Sequence, residues 1–74
     1  MNIHTAAKIA LTMGYTHIRA SNGTTTPLIK VADKTTKAPR QNGWDLADSP
    51  PKLALYSRSG NCLGYYELIE EGAP

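Results

Sequence analysis

Nucleophilic, acid–base or metal chemistry in this chain would have to come from His4, His17, Cys62 and scattered Ser and Thr hydroxyls. A nucleophile needs a base within hydrogen-bond reach, and local signatures such as Gly-x-Ser-x-Gly or His-Glu-x-x-His announce that arrangement. Neither occurs here. Structural zinc uses closely spaced ligand pairs, and the two histidines and one cysteine are far apart in sequence. No glycine-rich stretch opens a helix, so the phosphate-cradling geometry of nucleotide sites is also missing. His4 is expected on the polar arc of a helix, His17 on a polar strand face, and Cys62 as a small apolar filler at the start of a strand. The expectation is a chain that is not an enzyme and holds no cofactor or metal.

Binding chemistry is better represented. Arg19, Lys30, Lys34, Lys37 and Arg40 are cations in the first half of the chain, with Tyr15 and Trp44 near them as flat rings. Clustered cations suit phosphate, and aromatic rings can stack on bases. A second set, Tyr56, Tyr65 and Tyr66, lies in the last third with few cations around it. Tyrosine and tryptophan bring large contact area at small entropic cost, which favours them as anchors in protein interfaces. Tyr65 and Tyr66 are adjacent, so on a strand they point to opposite faces, leaving one for a partner. The candidate partner-binding residues are Lys34, Lys37, Arg40, Trp44, Tyr56, Tyr65 and Tyr66.

The elements that must hold these residues can be read from periodicity. Over residues 3–14, Ile3, Ala6, Ala7, Ile9, Ala10, Leu11 and Met13 fall in one arc, which predicts an amphipathic helix. Asn2 is placed to cap it, and Gly14 to end it in the left-handed region. The period then changes to two through Thr16, Ile18 and Ala20, and Ser21-Asn22-Gly23 reads as a turn. A β-branched run from about Thr24 to Ala32 predicts a second strand, which Pro27 confines to a sheet edge or a late start. Residues 33–51 read as a long charged loop, with Trp44 and Leu46 anchoring its second half and Trp44–Ala47 able to form a single helical turn. Lys52–Arg58 and Cys62–Ile69, flanking Ser59-Gly60-Asn61, predict a hairpin. The expected fold is α+β, α-β-β-loop-β-β, with the N-terminal helix packed on a four-stranded antiparallel sheet made of two hairpins.

Size and charge bound the rest. With 74 residues and one cysteine, the chain is a single small domain without an intrachain disulfide, near the lower limit of independent stability. Burial against a partner, including a homodimer, would help it. Net charge is +2 but unevenly spread: residues 1–44 carry +5 and residues 45–74 carry −3. The basic half could steer the chain toward an acidic partner. No basic segment followed by an apolar stretch opens the sequence, and no apolar run approaches a membrane span, so a cytoplasmic protein without membrane contact is expected. The initial Met and the tail from Glu70 to Pro74 suggest a whole small reading frame.

In size and lack of motifs the chain is similar to the very small reading frames of bacteriophages and mobile elements. Many of those bind and block a host protein or complex, anti-CRISPR proteins among them. The likeness implies a protein-binding inhibitor, and the alternative is a small nucleic-acid binder that uses its basic loop.

Overall fold

The structure is a computed structural model, and it describes residues 1–33 and 42–70. Helix α1 spans Ile3–Thr12. The Asn2 side chain accepts a hydrogen bond from the Thr5 amide at 2.9 Å, which satisfies one of the helix's free N–H groups. Past the cap residue Met13, Gly14 has φ +98°, a value that costs glycine little. Strand β1 (Tyr15–Arg19) follows, and then β2 (Thr25–Pro27).

The second expected strand is cut short. After Pro27 the chain turns into helix α2, Leu28–Ala32. Leu28 and Val31, three apart, are buried, whereas Ile29 is 71% exposed. An alternating strand through Pro27, Ile29 and Val31 would have put Ile29 inside and Leu28 outside. Over five residues the two periods share too few positions to be separated by sequence. Pro27 does sit on an edge strand, as its missing N–H requires.

The long-loop assignment for residues 33–51 is corrected over its second half, because strand β3 occupies Trp44–Asp48 and no helical turn forms there, while residues 34–41 lie outside the described residues. Trp44 and Leu46 point to the core while Asp45 and Asp48 are exposed. Asp is a poor strand former, and on a short edge strand its charge reads as loop. A two-residue turn with a cis Ser49–Pro50 bond leads to β4 (Pro51–Tyr56), and β5 (Cys62–Glu70) completes the chain of elements.

The sheet therefore has five strands, not four, in the order β2-β1-β5-β4-β3, with every neighbour antiparallel. The expected single helix is likewise replaced by two. The small face of α1, with Ala6, Ala7 and Ala10 fully buried, lies chiefly against α2 and reaches the sheet at β1 and β3. Its residues join Ile18, Leu28, Val31, Trp44, Leu53 and Leu68 in one core. Ile9 and Met13, assigned by periodicity to the apolar arc, are instead 38% and 43% exposed.

Two of the three hairpin turns are built alike. In each, an amide three residues on closes a tight turn, Gly23 to the Ala20 carbonyl and Gly60 to the Ser57 carbonyl, both at 2.9 Å. Both glycines have φ near +90°, the left-handed position of a three-residue hairpin loop. The second loop is thus Arg58-Ser59-Gly60, one residue earlier than the sequence suggests, with Asn61 already paired to Ser57.

Candidate sheet-face interface

Strand alternation sorts the side chains of the sheet into two faces. Ile18, Trp44, Leu46, Leu53, Leu55, Tyr66 and Leu68 belong to the face that meets the core. Their neighbours along each strand form the opposite face. In cross-strand register, Arg19 on β1 lies beside Glu67 on β5, and Glu67 beside Lys52 on β4. The next pair along is Tyr65 beside Ala54, and then Asp45 on β3 beside Ala54. No described element packs over this face.

Tyr65 is 53% exposed at its centre, and Leu63, two residues earlier beside a β-bulge, is 64% exposed. The Lys52 ammonium sits 5.0 Å from the Tyr65 ring centroid. At that distance the cation is drawn to the ring's negative face, which ties Tyr65 on β5 to Lys52 on β4. Arg19 reaches the Glu67 carboxylate at 3.7 Å, with both side chains about half exposed. Two hollows of about 260 Å³ flank the projecting ring. One is lined by Arg19, Ser21, Gly64, Tyr65 and Glu67, the other by Pro50, Pro51, Lys52, Tyr65, Glu67 and Leu68. Each is below the size of a typical small-molecule site and open to solvent, so they are features of a surface, not an enclosed pocket.

The sheet's edges are partly blocked against strand addition. The β3–β4 ladder leaves the Trp44, Leu46 and Asp48 amides pointing outward, since alternate residues pair inward. Trp44 N–H donates to the Met1 carbonyl at 3.0 Å, and the Met1 amino group returns a bond to the Trp44 carbonyl at 3.1 Å. Leu46 N–H donates to the carboxylate of Asp45 at 2.8 Å. At the opposite edge, β2 is three residues long and ends in proline. The face therefore offers a partner more than either edge does.

The residues singled out by sequence are placed as follows. Tyr65 and Tyr56 are on β5 and β4, the first exposed and the second half-buried. Tyr66 faces the core, half-buried, and stacks on Trp44 with ring centroids 5.5 Å apart and planes 9° from parallel. Trp44 is 5% exposed, and its indole N–H is buried without a partner among the described residues. Lys34, Lys37 and Arg40 lie outside the described residues. Leu63, Lys52 and Glu67 were missed as face residues, and Arg19 was singled out only as a cation for phosphate. The signal for them was the register of β5 against two strands, which no single-strand pattern contains.

The groups with catalytic potential are dispersed and locally engaged. His4 Nδ1 donates to the Val31 carbonyl at 2.7 Å, tying α1 to α2 where a solvated histidine was expected. His17 Nδ1 lies 2.8 Å from the Thr16 hydroxyl. Cys62 is exposed, not a filler, with its thiol 3.6 Å from the Gly64 carbonyl. No hydrogen bond joins any two of these three among the described residues. No group of three or more His, Cys, Asp or Glu side chains among them is arranged to hold a metal ion. None of the described helices is long and apolar enough to cross a membrane. No family model, curated protein or solved structure matches the chain.

Proposed function

We propose that this chain is a non-enzymatic protein-binding module whose working surface is the open face of its sheet. The observation that carries this is the exposure of Leu63 and Tyr65, 64% and 53%, at the middle of a sheet whose other face already serves the core. A large, half-exposed ring bordered by two hollows suits an interface anchor. Charges of both signs surround it: Arg19 and Lys52 on either side of Glu67, with Asp45 beyond. Such a mixture suits a protein surface better than a polyanion, because Glu67 and Asp45 oppose phosphate. In finer terms we read it as a cytoplasmic inhibitor encoded by a phage or mobile element, which acts by covering a surface of a host protein. Its small size and lack of motifs support that identity.

Pull-downs from host lysate with the tagged chain, with and without nuclease, test the proposal. The expected result is a nuclease-resistant partner that is lost with Tyr65→Ala or Leu63→Ser and kept with Ile29→Ser, which alters an exposed residue on the helical side. Capture unchanged in the face variants overturns the assignment of the surface. Partners that vanish with nuclease favour the alternative, nucleic-acid binding through the basic loop of Lys34, Lys37 and Arg40.

A further inference from the structure

We infer that the open face pairs with a second copy of this chain, through a two-fold axis parallel to the strands and midway between β4 and β5. This rests on the face being a protein-binding surface, and it names the occupant. A two-fold interface brings one patch against itself, so every residue must suit the position that the axis carries over it. The β4–β5 register supplies that match. Lys52 pairs with Glu67 across the two strands, and Ala54 with Tyr65. A half-turn about the axis exchanges β4 for β5 in the facing copy. Each Lys52 then stands opposite the second copy's Glu67, and each Tyr65 opposite the second copy's Ala54. Opposite charges meet twice, while each Tyr65 ring arrives over an Ala54 that is 0% exposed and so already covered by its own neighbours.

Other placements of the axis fail on the same residues. An axis along β5 itself sets Glu67 against Glu67 and Arg19 against Lys52. An axis across the strands at that level sets each of the three charges against its own kind. Stacked sheets lie about 10 Å apart, a gap that a tyrosine from one side or a Lys–Glu pair from both can span. The hollow lined by Pro50, Pro51, Lys52, Tyr65, Glu67 and Leu68 adjoins the place where the second copy's ring arrives. Edge-to-edge association has less support, because two of the three outward amides of β3 are already bonded.

Sedimentation equilibrium between about 1 µM and about 1 mM protein, the span over which moderate interfaces dissociate, is the first test. The wild-type chain should pass from monomer to dimer within it. Glu67→Lys places Lys opposite Lys52 at both contacts, and Lys52→Glu places Glu opposite Glu67, so each variant alone should dimerise at least about tenfold more weakly. Mixed in equal amounts, the two variants should form a heterodimer, since one copy now offers only cations and the other only carboxylates. The double variant with both changes should dimerise like wild type. A wild-type chain monomeric throughout overturns the inference, as does a dimer that neither variant weakens or a mixture that associates no better than its components. A monomeric wild type whose capture of another protein still depends on Tyr65 leaves the protein-binding function standing with a different occupant. Loss of both removes both.

Discussion

Tyr65 and Tyr66 are chemically identical neighbours, yet the pleat of β5 gives them opposite work. Tyr66 closes over Trp44 inside the molecule, and Tyr65 stands in solvent beside Lys52. Aromatic pairs contribute roughly 0.5–1.5 kcal/mol beyond the area they bury. Truncating a half-buried ring also leaves a cavity against its neighbours. Tyr66→Ala should therefore lower unfolding free energy by about 2–3 kcal/mol, whereas Tyr65→Ala should change it by less than about 0.5 kcal/mol. Urea titrations of the two variants measure the contrast, and equal losses would contradict the assignment of faces. Leu53, fully buried and opposite Tyr66 in register, sets the scale for the core. Its replacement by Ala is expected to cost about 2–5 kcal/mol.

Among the elements, β3 depends most on a single residue at its entrance. Gly43 carries no unusual φ, but a Cβ there would run into the carbonyl oxygen of Tyr56, whose own amide donates to the Gly43 carbonyl at 2.9 Å. Backbone oxygen cannot move aside without breaking the ladder. Gly43→Ala should thus destabilise by about 1–3 kcal/mol and broaden the amide signals of β3 before those of β1. A melting curve that matches wild type would show that the chain relaxes there. Much of this element scale was legible beforehand. The cap at Asn2, the stop at Gly14, the first hairpin turn and the strands β1, β4 and β5 all follow from local chemistry. What escaped was decided at a distance. Residues 28–32 suit a strand or a helix in isolation, and burial of Leu28 against α1 and the sheet chooses the helix. Trp44–Asp48 has two acidic residues in five and becomes a strand because β4 offers it a ladder. The candidate surface was half visible for the same reason: adjacent tyrosines guarantee one outward ring, but only the pairing of β5 with β1 and β4 surrounds that ring with Arg19, Glu67 and Lys52.

For the whole molecule, the order of the sheet matters more than the number of strands. The last strand in sequence is the central one, flanked by β1 and β4, so the two hairpins cannot join until β5 is in place. Hydrogen exchange should show this directly. Amides of β5 that pair with β1 or β4 should exchange only through global unfolding, while those of β2 exchange through local opening and report a smaller free energy. Uniform protection across all five strands would contradict it. The partly blocked edges have a further consequence at this scale. Cross-β filaments grow by adding strands to exposed backbone donors, and of the three outward amides of β3 those of Trp44 and Leu46 are already satisfied, by Met1 and by the carboxylate of Asp45, which leaves that of Asp48. The three-residue β2 ends in a proline that has no amide to offer a growing filament. A filament could thus gain few of the backbone bonds it needs from either edge of this sheet.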